Sequence, residues 1–279
     1  MISPNSCGPE ARLPVPPDVV SSRSVGGPQR ENRAVSARRC LAEGVGTFFL
    51  VFIGPGAAMV DAYSGGTVGH VGIALAFAFV VVAMVYALGH LSGAHINPAV
   101  TLAFWSTGRF PSAEVVPYVL AQCSGATIAS FSLRAALGPV GNLGATVPIL
   151  PVPEAFVVEW LLSFVLMFVI MAVATDERVA DGFAALAVGL TVGFCALMGG
   201  PLTGASMNPA RSLGPVVAGA AWHSHWVYWL APITAMMVAA RAYDMLRDTH
   251  SPGTRPLTVG VQGPVRRTGF RPERSSPGR

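Results

Sequence analysis

The chain has 279 residues, 11% charged and 52% apolar, with a mean hydropathy of +0.54, whereas soluble domains carry roughly 25% charged residues; an ordinary soluble enzyme or binding domain is excluded. The net charge of +4 does not mark a nucleic-acid binder, because all 18 basic residues are Arg and they are segregated: six within residues 1–40, eight within 241–279 and four between. Basic ends around an apolar middle match the cytoplasmic excess of positive charge in membrane proteins, so the expected surroundings are a lipid bilayer.

Residues 1–38 are rich in Pro, Ser, Gly and Arg, with no apolar run. They lack the apolar core of a cleavable signal peptide and read as a disordered cytoplasmic tail. A six-span domain over 39–248 follows. Its predicted spans are Leu41–Val60, Val68–Leu88, Glu114–Leu137, Glu154–Thr175, Gly182–Met198 and His225–Leu246. Each is close to the roughly 20 residues that cross a bilayer as a helix. Gly189 and Gly193, and Gly125 and Ala129, are spaced to let helix backbones approach closely in lipid. The connections Asp61–Thr67, Gly138–Pro153 and Thr175–Asp181 are polar or turn-rich, and residues 249–279 read as a second disordered, basic cytoplasmic tail. Cys7, Cys40, Cys123 and Cys195 show neither metal nor disulfide spacing; neither a metal nor a cofactor is expected.

Two stretches stand apart from the spans. Gly89–Phe104 (GHLSGAHINPAVTLAF) and Gly200–Pro215 (GPLTGASMNPARSLGP) align at an offset of 111 residues, with eight identities in sixteen positions. A lone Asn-Pro-Ala is ordinary helix-start chemistry, since Asn caps and Pro suits the first turn. Two copies, each after a Gly-rich turn inside an apolar region, are a specific signal. The repeat extends further, because Glu43-x-x-x-Thr47-Phe48 matches Glu159-x-x-x-Ser163-Phe164. The halves are about 39–138 and 154–248. Three spans per half invert the second half relative to the first, with a site expected near the midplane. Asn97–Thr107 and Asn208–Gly219 are too short to cross and read as re-entrant half-helices, whose irregular leads are tolerable only when buried or facing a water-filled cavity. The expected fold is an all-α membrane protein of six transmembrane helices, two half-helices and an inverted repeat.

In this arrangement Asn97-Pro98-Ala99 and Asn208-Pro209-Ala210 begin half-helices that meet head to head. Each Asn amide points two donor hydrogens at a passing oxygen, and both helix N-termini carry partial positive charge. Gly93–Ile96, with Ala94 and His95, and Thr203–Met207, with Gly204, expose carbonyls along the path. Arg211 breaks the symmetry, since its counterpart is Val100. An intramembrane Arg is a functional hypothesis by default. His70, His90, His223 and His225 sit near span ends or in loops.

The doubled motif resembles the major intrinsic proteins, the aquaporin and aquaglyceroporin family, over about Leu41 to Leu246, with the nodulin-like and related bacterial members most similar. The resemblance implies a filter of Phe77, Ala196, Ala205 and Arg211 on the extracellular side. Water-selective members usually have His at the position of Ala196 and Thr or Cys at that of Ala205. Glycerol facilitators usually carry two aromatics in the filter, Asp at Ser212 and a basic residue at Val216. Ser212, Tyr228 and Trp229 resemble the water-channel branch. Glu43 and Glu159 resemble the family's buried acids that hold loop backbone, with Gln122 supporting a half-helix. The resemblance also implies a homotetramer. The expected location is the plasma membrane with both termini cytoplasmic, because 14 of the 18 Arg lie in or beside the tails and six spans return the chain to its starting side.

The expected function is a passive channel for water and small uncharged solutes that excludes ions and protons. The alternative is a glycerol, urea or metalloid facilitator with water secondary. A coupled secondary transporter would need an ion site beyond the single repeat-related acid pair. An enzyme would need a nucleophile–base pair, metal cluster or phosphate loop, and no such pattern is present in the sequence.

Overall fold

The computed structural model describes residues 28–175, 182–219 and 221–247. Residues 1–27 and 249–279, most of the two expected tails, lie outside it, as does the greater part of the Thr175–Asp181 connection.

Helix α1 (Pro28–Tyr63) starts well before the predicted Leu41. Residues 28–38, expected within the disordered tail, are therefore helical. After Pro28 this stretch contains neither Gly nor Pro, and Pro is favoured in a helix's first turn. The chain continues with α2 (Gly69–Ser92), α3 (Pro98–Ser106), α4 (Ser112–Leu137), a turn over Val140–Gly144, α5 (Val152–Thr175), α6 (Ala184–Thr203), α7 (Pro209–Gly219) and α8 (Val227–Leu246). Among the described residues, the Ser36–Tyr63 part of α1 and all of α2, α4, α5 and α6 are long and apolar enough to cross a membrane. Helix α8 has 20 residues, about 30 Å at 1.5 Å per residue, and completes the six; Arg241 and Asp244 near its end lower its hydropathy.

The inverted repeat is visible in the packing. Helix α1 lies on α4 as α5 lies on α8, α3 packs against α8 as α7 packs against α4, and α2 and α6 meet each other. Small residues set these crossings. Gly125 in α4 faces the Gly44 carbonyl of α1, leaving no space for a side chain, and a Cβ at Gly193 in α6 would stand 2.9 Å from the Ala78 Cβ of α2. Close backbone approach of this kind drives association where lipid removes the hydrophobic gain. Outward positions such as Phe79, Ile128, Leu190 and Phe194 are exposed and apolar.

Helices α2 and α6 run past their predicted ends at Leu88 and Met198 and stop at matched glycines. Gly93 (φ 89°) and Gly204 (φ 88°) are left-handed caps whose N–H groups donate to Gly89 O and Gly200 O. These turns send the chain back inward to the short helices α3 and α7, nine and 11 residues long.

Candidate functional site

The leads into α3 and α7 are irregular in the same way. Ala94 and Ile96 (φ 45° and 42°) and their counterparts Ala205 and Met207 (φ 42° and 51°) are all left-handed. That conformation costs a non-glycine residue about 1–2 kcal/mol, so something must hold it. Two buried carboxylates do. Glu43 accepts from His95 N (2.9 Å), Ile96 N (2.6 Å), Ser92 Oγ (2.7 Å) and Gln122 Nε2 (2.8 Å). Glu159 accepts from Ser206 N (2.9 Å), Met207 N (3.0 Å) and Thr203 Oγ1 (2.6 Å). Both are fully buried, and every one of these groups can act as a donor, which suits an acceptor-only carboxylate. Tyr118 and Tyr228 close each lead from outside, their hydroxyls donating to Ser92 O (3.0 Å) and Thr203 O (2.6 Å).

Asn97 and Asn208 stand at the starts of α3 and α7. Asn97 Oδ1 accepts from Ala99 N (2.9 Å), and Asn208 Oδ1 from Ala210 N (3.0 Å) and Arg211 N (3.2 Å). Their amide nitrogens cross the repeat boundary: Asn97 Nδ2 donates to Met207 O and Asn208 Nδ2 to Ile96 O, each at 2.8 Å. This reciprocal pair locks the two half-helices head to head. It also corrects one expectation. An amide has two hydrogens, and one on each Asn is committed to the other half's backbone, so one per Asn, not two, is left for a passing oxygen. The left-handed leads cause this by turning the Ile96 and Met207 carbonyls toward the opposite Asn.

Asn97 and Asn208 line one cavity together with Gly93, Ala94, His95, Phe77, Ala196, Ala205 and Arg211. Its remaining wall is largely apolar, including Val81, Leu166, Ile170 and Val192. About 60 Å³ is open to the centres of water-sized molecules, room for more than one water. The repeat relates Phe77, Ala196, Ala205 and Arg211 to Val188, Val85, Ala94 and Val100, and all eight line this cavity. On α2 and α6 the two sets are eight residues apart, about 12 Å along each helix. One set carries the cation and the aromatic ring, while the other offers only aliphatic side chains.

Arg211 is buried, with its guanidinium carbon 5.1 Å from the Phe77 ring centroid. Its Nη1 donates to Gly144 O at 2.9 Å, and its Nε has no partner among the described residues. At the other side His95 is buried against Phe104, Phe110 and Tyr118, and its Nδ1 lies 3.0 Å from Thr101 Oγ1. Beyond it, Arg39 pairs with Glu114 (2.6 Å) and lies over the Phe110 and Tyr118 rings. His70 and His90 are exposed on α2. Among the described residues no group of three or more His, Cys, Asp or Glu is placed to hold a metal ion.

The family model for the major intrinsic proteins matches residues 31–243. The chain belongs to the major intrinsic protein family. Curated relatives agree. Aquaporin NIP1-1 of Zea mays is 44% identical over 216 residues, 77% of this chain and 77% of the relative. Nodulin-26 of Glycine max is 42% identical over 228 residues, 80% and 84% of the two chains. The probable aquaporin AqpM of Archaeoglobus fulgidus is 44% identical over 238 residues, 75% and 97%. Among solved structures, the aquaglyceroporin from Plasmodium falciparum superposes with a TM-score of 0.68 at 26% identity, covering 75% of this chain and 96% of that one. This major intrinsic protein is thus an integral, multi-pass membrane protein of a family of passive channels, not an enzyme.

Of the site residues expected from the sequence of this major intrinsic protein, Phe77, Gly93, Ala94, His95, Asn97, Ala196, Ala205, Asn208 and Arg211 line the cavity; Glu43, Gln122 and Glu159 hold the leads behind it, and Pro98, Ala99, Gly204, Pro209 and Ala210 are not on its wall. The roles of Ser92, Tyr118, Gly144, Thr146 and the Thr203 hydroxyl are not among those expected from the sequence. Ser92 and Thr203 are a repeat pair at the 111-residue offset, and their shared hydroxyl was the available signal. Tyr118 and Tyr228 lie 110 apart, off the motif register.

Proposed function

We propose that the chain is a passive channel for water and small uncharged solutes that excludes ions and protons. The observation that carries this reading is the centre of the cavity, where two half-helix N-termini face each other and each Asn keeps one uncommitted amide hydrogen. Each terminus brings roughly half a positive charge, so a cation meets a barrier there. A water accepting from both Asn turns its own hydrogens outward to either side, which breaks a continuous proton chain. The filter is Phe77, Ala196, Ala205 and Arg211, and the buried cation adds to the barrier. Gly93, Ala94, His95 and Gly204 line or shape the two approaches.

A wider solute range is the second reading, a glycerol, urea or metalloid facilitator with water secondary. It is favoured by the two methyl groups, Ala196 and Ala205, beside Phe77 and Arg211 on the cavity wall, and by the likeness to a structure described as an aquaglyceroporin. Coupled transport is disfavoured because both intramembrane acids already accept three or more hydrogen bonds, leaving little capacity for an ion. A homotetramer with one passage per subunit, in the plasma membrane with both termini cytoplasmic, completes the proposal; the Arg-rich ends support the orientation. Stopped-flow measurement of proteoliposomes with water, glycerol, urea and ammonia tests it. Water and at least one small solute should pass without proton leak, and a proton or salt conductance comparable to the solute flux defeats the reading.

A further inference from the structure

The two halves of the site carry repeat-related polar networks whose third members differ. In the first half Thr101 Oγ1 donates to Asn97 O (3.2 Å), with His95 Nδ1 (3.0 Å) and Gln122 Nε2 (3.1 Å) on the same hydroxyl. In the second half Ser212 stands in place of Thr101 and Ser206 in place of His95. The third member is Thr146, which comes from the connection between α4 and α5, whereas Gln122 sits within a transmembrane helix. The hydroxyl hydrogens follow from counting. Ser206 Oγ donates to Asn208 O (3.0 Å), so its 2.5 Å contact with Ser212 Oγ is a donation from Ser212. That leaves Thr146 Oγ1 as the donor to Ser212 at 2.8 Å. One directed chain runs from the connection to the first carbonyl of α7.

The same connection supplies the carbonyl of Gly144, which accepts the one hydrogen bond that the Arg211 side chain makes among the described residues. Where the guanidinium stands therefore depends on one loop oxygen. That oxygen ends a run of four left-handed residues: Gly141 (φ 55°), Asn142 (48°), Leu143 (54°) and Gly144 (65°). Such a run persists only where its surroundings hold it. Leu143 is buried beneath it, and Thr146, two residues on, packs so closely on Gly204 that a Cβ there would lie 2.9 Å from Thr146 Cγ2.

We propose that Thr146 is a positioning residue for selectivity: its bond to Ser212 fixes the Gly144 carbonyl and, through it, the reach of Arg211 toward Phe77. This rests on the channel reading above. Without the bond the turn relaxes, Arg211 withdraws, and the opening admits a larger solute more readily relative to water.

The test uses the full chain in proteoliposomes, with water and glycerol fluxes measured at matched protein density. Thr146→Val keeps the shape and removes the donor, Thr146→Ser keeps the donor, and Ser212→Ala removes its partner. Thr146→Val and Ser212→Ala should each raise the glycerol-to-water flux ratio by about threefold to tenfold, the factor that corresponds to one lost hydrogen bond. Thr146→Ser should keep the parent ratio, and the Thr146→Val, Ser212→Ala double variant should go no further than either single. An unmoved ratio, a proportional fall of both fluxes, or failure of Thr146→Ser to preserve the parent value overturns the proposal. If Thr146→Val does not insert, Ser212→Ala alone decides by the same ratio. A parent that passes neither water nor glycerol brings down the channel reading and this proposal together, whereas a conducting parent with an unmoved ratio brings down this proposal alone.

Discussion

Replacing Glu159 by Gln changes one atom pair, and the surroundings fix its consequence. Glu159 accepts from Thr203 Oγ1 and Ser206 N on Oε1 and from Met207 N on Oε2. A Gln can keep the Oε1 side, but its amide nitrogen then faces the Met207 N–H, donor against donor. One buried backbone donor loses its acceptor, and the new amide hydrogens find none; at about 1–3 kcal/mol for each unsatisfied group the loss is about 2–6 kcal/mol. Glu43→Gln provides the control. Its Oε2 accepts from Ile96 N as well as from Gln122 Nε2, so one backbone donor is orphaned here too, but Gln122 Oε1 is buried without a partner. Turning that amide over offers the new Gln an acceptor and moves an existing orphan from oxygen to nitrogen, with Thr101 Oγ1, which now accepts from Gln122 Nε2, turning its own hydrogen to the new oxygen. Glu159→Gln should therefore cost about 1–3 kcal/mol more than Glu43→Gln. Unfolding of the purified variants, followed by intrinsic tryptophan fluorescence against denaturant, measures the difference. Equal losses, or a larger loss for Glu43→Gln, would refute the assignment of the two carboxylates as acceptors that hold the leads.

Three further outcomes are expected. Asn208→Asp places a carboxylate against the Ile96 carbonyl where an amide now donates, and liposome water flux should fall at least about tenfold, or proton exclusion be lost, with all six spans still inserted; unchanged flux without leak, there and in Asn97→Asp, counts against the central site. Ala196→His combined with Ala205→Thr refills the wall beside Phe77 and Arg211, and glycerol flux should drop about tenfold or more relative to water; a parent that already excludes glycerol, urea and ammonia contradicts the wide-filter reading. Residues 1–35 should be cleaved by protease only after intact cells are permeabilised, and cleavage from outside reverses the proposed orientation.

The part of the fold that repeats was legible in the sequence. The 111-residue offset carried Gly93/Gly204, Ala94/Ala205 and Asn97/Asn208, and those pairs proved to share caps, left-handed φ values and reciprocal bonds. Glu43 and Glu159 were legible because a carboxylate inside an apolar helix demands partners. What escaped was chemistry that identity does not track. Ser92 and Thr203 do one job with two residue types, each donating to its Glu while accepting from Ala94 N or Ala205 N. The commitment of one amide hydrogen per Asn follows from backbone geometry that no side-chain pattern encodes. The start of α1 at Pro28 escaped because a polar stretch gives no apolar periodicity to read.

The departures from the repeat are what set the proposed filter apart from its repeat counterpart. The frame is symmetric in its acids, caps and central amides. The asymmetry enters at Arg211 against Val100, at Phe77 against Val188, and at Ser206 against His95. Each of these lines the one cavity. A buried cation needs an acceptor, and the inner shell of the second half has none to spare, because Glu159 is filled by Thr203, Ser206 and Met207. The acceptor therefore comes from outside the repeat, from Gly144 in a connection that follows α4. Arg211, whose repeat counterpart is the aliphatic Val100, is served by a segment with no repeat counterpart; the broken symmetry marks Arg211 in the sequence, whereas internal similarity has no position to compare with Gly144.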